Sequence, residues 1–285
     1  MKNINRRNFL ELVSGLATLP SLASSAELKG FAIQDPTNKQ NVRGFVHIPS
    51  ICGEQLKPNN YQLDSSDYRI IYNNDSSLRR ANIGLIESIK KYTNLNAFSD
   101  KPLFLSSKHL IQYPFIYVTT DNAFELTKTE KENFNNYLRN GGFAVLESLE
   151  PQLNYSQAEA SLKQMIKDTL KNDARFLPIP NSHNLYHCFF NFDMPPQGTE
   201  VNYVFSAVRT GVAAYFAPAD LVTLPKPRPY LEGIFLEDRL AVVYSGKGYG
   251  KKWKDISNNE PQQKMAVNFV VYALTQKGGI AQKNN

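Results

Sequence analysis

Short apolar runs alternate with amphipathic stretches through the middle of this chain, and that alternation is what most narrows its fold. Tyr68-Arg-Ile-Ile-Tyr72 is compact and β-prone. In the residues 76–92 that follow, Leu78, Ala81, Leu85, Ile86 and Ile89 recur on one helical face. Leu103 to Leu105 reads as a short strand and Pro114-Phe-Ile-Tyr-Val118 as a strong one. Thr127-Lys-Thr-Glu130 spells a capping box, in which the threonine accepts from a backbone amide and the glutamate reaches back to the cap's own amide. Phe134, Tyr137 and Leu138 form that helix's apolar stripe, and Gly141-Gly142 stops it, because glycine takes the left-handed conformation at a helix end without a Cβ clash. Phe143-Ala-Val-Leu146 is the next strand. Ser156-Gln-Ala-Glu159 then opens a helix with Leu162, Met165, Ile166 and Leu170 inside. Strands separated by helices predict an α/β fold with a mainly parallel sheet covered on both faces, since parallel neighbours need crossover connections. Farther on, Gly233 to Leu236 and Leu240 to Tyr244 flank Glu237-Asp238-Arg239 and predict a hairpin. Residues 262–275 are apolar on most sides and predict a deeply docked helix.

The N-terminus reads differently. Residues 1–26 carry a positive head, a modestly apolar stretch from Leu12 to Leu19, and small residues ending at Ala26, which is the plan of a cleaved signal peptide. Arg6 and Arg7 followed by Phe9-Leu10 resemble the twin-arginine (Tat) export signal, although Glu11 stands where that consensus has Lys; an ordinary Sec signal or a frayed amphipathic N-terminal helix is the alternative. The expected address is therefore periplasmic or extracytoplasmic, with the Tat translocon as partner during export. The apolar stretch is too short for a permanent membrane span. Loss of residues 1–26 removes Lys2, Arg6, Arg7 and Glu11 and so lowers the +6 net charge by two. No clustered basic block remains to neutralise phosphates, which argues against a nucleic-acid partner. Cys52 and Cys188 lack metal-ligand spacing and read as two buried thiols, with a single bridge left open. The predicted organisation is a signal peptide over 1–26, an extended segment over 27–66 in which Val42 to Ile48 makes an edge strand, an α/β domain over 67–275, and a loose tail over 276–285.

Several motifs in this order resemble one bacterial family. They are Tyr113-Pro-Phe-Ile-Tyr-Val118, Leu138-Arg-Asn-Gly-Gly-Phe143, His183 before an apolar-aromatic run, Leu231-Glu-Gly-Ile234 with Asp238-Arg-Leu-Ala-Val242, and Asn268-Phe-Val-Val-Tyr-Ala-Leu-Thr275. The family is the domain-of-unknown-function (DUF) 4159 family, grouped by fold with the class I glutamine amidotransferase-like proteins. The resemblance implies a flavodoxin-like three-layer sandwich with a C-terminal β-hairpin and helix, but no activity. True amidotransferases keep a cysteine on a Gly-x-Cys-x-Gly elbow and a later His-x-Glu, and this chain has neither. Glutamine hydrolysis is not expected.

In open parallel sheets, the loops leaving the carboxyl ends of strands form the default ligand site. That rule selects Asn73, Asn74 and Asp75 after the first strand, Thr119, Thr120 and Asp121 after Val118, and Glu147 and Ser148 after Leu146. Each residue type also serves turns and helix caps. In the amidotransferase-like register Glu147 falls near the nucleophile position of the relatives, where a carboxylate serves as acid/base or as a helix cap. Ser148 lacks the strained turn of a nucleophile elbow. His183 and His187 have zinc-helix spacing, but Pro178, Pro180 and Phe189-Phe190 around them favour a turn leading into a strand. No phosphate-cradling glycine loop is present, and neither metal nor cofactor is predicted. Residues 245–253 hold three glycines, three lysines, Tyr249 and Trp253, which suits ligand or protein contact, or else a solvated loop whose Trp253 plugs the core. The resulting expectation is an exported, non-catalytic module of the cell envelope that binds a ligand or a protein. The alternative is a periplasmic hydrolase of a sugar or peptide derivative, with Glu147 as acid/base and Asp121 or His183 assisting.

Overall fold

The computed structural model describes residues 27–56, 61–63, 70–72, 77–148, 156–199, 228–253 and 259–282. Two strands open it, β1 (Gly30–Gln34) and β2 (Val42–Ile48), followed by the short β3 (Ile51–Cys52), β4 (Tyr61–Leu63) and β5 (Ile70–Tyr72). Helix α1 (Ser77–Tyr92) leads to β6 (Asn94–Ser99), β7 (Leu103–Phe104) and β8 (Phe115–Thr120). Then come α2 (Lys128–Arg139), β9 (Phe143–Ser148), α3 (Gln157–Leu170) and β10 (Leu177–Pro178). The hairpin β11 (Glu232–Leu236) and β12 (Arg239–Ser245), the short α4 (Tyr249–Lys252) and α5 (Glu260–Thr275) complete the set.

The architecture is mixed α/β with several sheets, parallel in part. The largest has the order β10-β11-β12-β9-β8, in which β12, β9 and β8 are mutually parallel, β11 is antiparallel to β12, and β10 is antiparallel to β11. Its alternation is legible in the cores on its two sides. Phe115, Tyr117, Phe143, Val145 and Val243 pack with residues of α1 and α5. Ile116, Val118, Ala144, Leu146, Val242 and Tyr244 pack with residues of α2 and α3. Each such fully buried side chain contributes about 2 kcal/mol relative to exposure, so a shift of one residue in register would exchange the two cores and is strongly disfavoured.

Local chemistry sets the helix boundaries. The capping box is present, with Thr127 Oγ1 accepting from Glu130 N–H and Glu130 Oε2 accepting from Thr127 N–H at 2.8 Å. The same carboxylate does more than cap, because Oε1 accepts from Glu54 N–H at 2.8 Å and ties the 53–56 loop to α2. Helix α5 is buried nearly all round, and its one buried asparagine, Asn268, is satisfied by the carbonyls of Leu185 and Phe190 and by Phe190 N–H.

Four expectations are corrected. Val42 to Ile48 is the middle strand of a sheet of order β1-β2-β6, antiparallel to β1 and parallel to β6, and not an edge. The run around Ile70 to Tyr72 pairs antiparallel with β4 in a two-stranded sheet of its own, a pairing that a short connection suffices to make. Within Glu237-Asp238-Arg239 only the first two residues turn, Glu237 at φ 55°, while Arg239 already pairs with Leu236. The segment expected to be loose is docked as far as it is described: Ile280 and Ala281 are buried, and Ile280 N–H donates to Gly141 O at 3.0 Å.

Candidate functional site

Parallel register brings the carboxyl ends of β8, β9 and β12 level. Thr119 stands beside Glu147 and Thr120 beside Ser148, with Ser245 on the other side of Glu147. Glu147 is buried, and both carboxylate oxygens are engaged. Oε1 accepts from Ser245 Oγ at 2.6 Å, and Oε2 accepts from Tyr117 OH at 2.9 Å and from Gly250 N–H at 2.7 Å. Gly250 lies in α4, so an anionic side chain meets the amides of a helix's first turn, where it is favoured. Burial pushes the Glu147 carboxyl above its ordinary range, while the donors from Ser245, Gly250, Tyr249 and Tyr117 pull the other way. Burial and the neighbouring Glu147 charge raise the Tyr117 phenol well above its usual value.

Around this lock, the other predicted residues fall into three groups. Asp121, half-buried, approaches the same phenol closely enough that its charge also raises Tyr117. Thr120 Oγ1 is used locally, accepting from Asn122 N–H at 3.1 Å. Thr119 lies beside the Tyr117 phenol and favours its ionised form, yet Thr119 Oγ1 has no partner in hydrogen-bond geometry; Ser148 Oγ is likewise buried without one. These orphaned hydroxyls at adjacent strand ends are the polar atoms most in want of a partner there.

Tyr249 and Trp253 form the second group, and both are core residues. Tyr249 OH donates to Pro196 O at 2.6 Å, and Trp253 Nε1 donates to Gln262 O at 3.1 Å while its ring lies 5.1 Å from that of Tyr117. They present no exposed aromatic surface; of the two readings of this loop, Trp253 takes the plug. Gly84 of α1 makes room for it, since a Cβ there would stand 2.8 Å from the Trp253 carbonyl carbon.

His183 belongs elsewhere. Its Nδ1 accepts from Leu185 N–H at 3.1 Å and caps a single turn, and its ring contacts Phe235 and Tyr272. Tyr272 in turn touches Phe143, at the start of the strand that ends near Glu147. Four residues of strand separate those points by about 13 Å, so Asp121 and Glu147 come together and His183 does not join them. His187 Nε2 bonds to Asn181 O at 2.8 Å, so each imidazole serves its own loop. Asn73, Asn74, Asp75, Arg6, Arg7 and Ala26 lie outside the described residues.

Sequence reasoning missed Tyr117, Ser245 and Lys247 at this rim. Lys247 is buried and donates from Nζ to Arg228 O at 2.9 Å. Arg228 Nη1 also meets Glu159 Oε1 and Glu232 Oε2, each at 2.9 Å, and Lys163 Nζ bridges the same two carboxylates at 3.0 and 2.7 Å, closing a four-membered ionic ring. The signal for Ser245 was present, as it follows the apolar run 240–244 at the register of Glu147. A groove of about 760 Å³ opens around Arg139, Asp173, Glu237 and Lys277, at the turn joining β11 to β12.

The family described as a domain of unknown function (DUF4159) matches residues 68–274. The chain belongs to that family. No curated protein matches it. The DUF4159 match runs from the segment before β5 to the end of α5, and it therefore includes Tyr117, Glu147, Ser245 and Gly250. Among the described residues of this DUF4159 protein, no helix is long and apolar enough to cross a membrane.

Proposed function

We propose that this DUF4159 protein is an exported, non-catalytic module of the cell envelope, built on a flavodoxin-like, amidotransferase-like core, that binds a ligand or a protein. The observation that carries this reading is the burial of Glu147 among three hydrogen-bond donors. A carboxylate that accepts three hydrogen bonds and is closed off from solvent holds the sheet to α4 and is out of a substrate's reach. The other reactive groups support the same reading. The buried Cys188 thiol is pushed up to about 12, and His183 is spent on a cap. In this proposal the ligand lies over the ends of β8 and β9, contacting Thr119, Thr120 and Ser148. Export runs through the Tat translocon on Arg6 and Arg7, with cleavage after Ala26.

The test uses protein recovered from the periplasm. Native mass spectrometry is expected to find a retained ligand or partner that the double variant Thr119→Val, Ser148→Ala loses, while chromogenic glycosides and peptide anilides are not turned over. Turnover by the wild type that Glu147→Gln abolishes without loss of stability would establish the hydrolase instead. Arg6→Lys with Arg7→Lys is expected to leave the precursor in the cytoplasm.

A further inference from the structure

The sheet β1-β2-β6 has one face in the core and the other in solvent. Alternation puts Val42, Val46, Ile48, Leu95 and Ala97 inside. On the opposite face it leaves Phe31, Ile33, Phe45, His47 and Phe98, of which Ile33 and Phe98 are 65% and 47% exposed. The His47 ring stands 6.0 Å from that of Phe45 and 5.1 Å from that of Phe98, so the outer face carries a contiguous aromatic strip. Strand β2 is paired on both sides, whereas β6 is paired on one side only among the described residues. A groove of about 450 Å³ follows β6, walled by Lys90 and the unbroken run from Thr93 to Phe98. Inward-facing Leu95 and Ala97 line it together with outward-facing Asn96 and Phe98, so it runs along the edge of the strand and not over either face.

A strand edge presents a row of backbone N–H and C=O groups, and an extended chain adds to it as one more strand. We propose that β6 is the docking edge for an extended, acidic segment of another protein, which pairs alongside Asn94–Ser99 and sets apolar residues next to Phe98. The charge around the edge selects the occupant. Lys90 and Arg43 are both exposed, Arg43 lies opposite Asn94 in the β2–β6 register, and neither is in an ion pair among the described residues. The carboxylate that follows β6, Asp100, is already held by Tyr113 OH at 2.8 Å and His47 Nδ1 at 3.3 Å. A second copy of this chain is the poorer fit, because its own β6, Asn94–Ser99, carries no carboxylate to meet Lys90. The inference stands on the sheet edge and is independent of the reading of the strand-end rim.

The experiment uses the intact protein and a panel of fluorescein-labelled ten-residue peptides that alternate Val and Thr, with a single Glu stepped through the positions. Fluorescence anisotropy is expected to show binding in at least one register, weakened by salt, and hydrogen exchange of the 94–99 amides is expected to slow in the complex. Lys90→Glu, an exposed substitution whose fold circular dichroism checks, should weaken that peptide about fivefold and restore a peptide with Lys in place of Glu. The proposal is overturned if no peptide binds at about 1 mM, if binding ignores peptide charge, if the 94–99 amides exchange unchanged, or if sedimentation shows a dimer whose β6 amides are already protected.

Discussion

Replacing Glu147 by Ala is the sharpest probe of whether this carboxylate holds the fold or performs chemistry. The substitution strands three buried donors, Ser245 OH, Tyr117 OH and Gly250 N–H. A buried group left unpaired costs about 1–3 kcal/mol. The two hydroxyls can rotate, but the Gly250 amide is fixed by α4, so it bears its full share while the hydroxyls bear part of theirs. Deleting the carboxylate also relieves the burial that raises its proton affinity, which offsets some of the loss. The net expectation is a destabilisation of about 3 kcal/mol, equivalent to a fall of roughly 6–12 °C in melting temperature for a domain of this size. Trp253, the only tryptophan, reports on the lock directly because it follows α4 and lies against Tyr117. Urea unfolding followed by its fluorescence should show a lower midpoint with an unchanged slope. An alanine variant as stable as the wild type, or more stable, would refute the structural reading, since groups kept for chemistry at a cost to the fold give stability back when removed.

Glu147→Gln carries a pH signature: the native carboxyl has a raised proton affinity, so its contribution is present below the ordinary carboxylate range and is lost as pH rises through the native value. The stability of Gln relative to wild type should therefore improve from pH 4 to pH 8, as matched urea titrations would show. Gly84→Ala gains about 1 kcal/mol of helix propensity but drives a Cβ to 2.8 Å from the backbone at Trp253, so thermal melts should show a net loss of about 1–2 kcal/mol. Arg239→Ala frees the carbonyls of Gly142 and Leu138 and should cost about 2 kcal/mol in urea unfolding, with Lys restoring only part because it lacks the fork. Cys52 and Cys188 are buried thiols, so Ellman's reagent should label neither in native protein and both after denaturation; rapid native labelling of Cys188 would contradict its raised proton affinity.

Much of the fold was legible where a single periodicity governed a segment. Phe115 to Val118, Phe143 to Leu146 and the box at Thr127–Glu130 announce themselves because burial on both faces, or a cap, leaves little choice of residue. Strand β6 did not, since Asn94-Leu-Asn-Ala-Phe-Ser99 alternates weakly and its outer face is in solvent. The partner of β2 was equally hidden, because register across a crossover is set by tertiary packing that no local pattern records. At the rim, Glu147 and Asp121 were singled out from the sequence as strand-end residues, whereas the donors that hold Glu147 come from residues 117, 245 and 250 and became visible only once the strands lay side by side. Tyr249 and Trp253 misled for a plain reason: glycines and lysines around an aromatic describe an exposed loop as well as they describe a lid turned inward.

The turn at Gly141–Gly142 is held by two distant stretches of chain. Arg239 grips the carbonyls of Leu138 and Gly142 from one side, and Ile280 N–H closes on Gly141 O from the other. A nascent chain still missing residue 280 thus leaves this seam open, with Gly141 O unpaired and the apolar Ile280 site unfilled. The last residues of the domain are therefore part of its core, and a truncation at 275 should unfold at a lower urea concentration than the full chain.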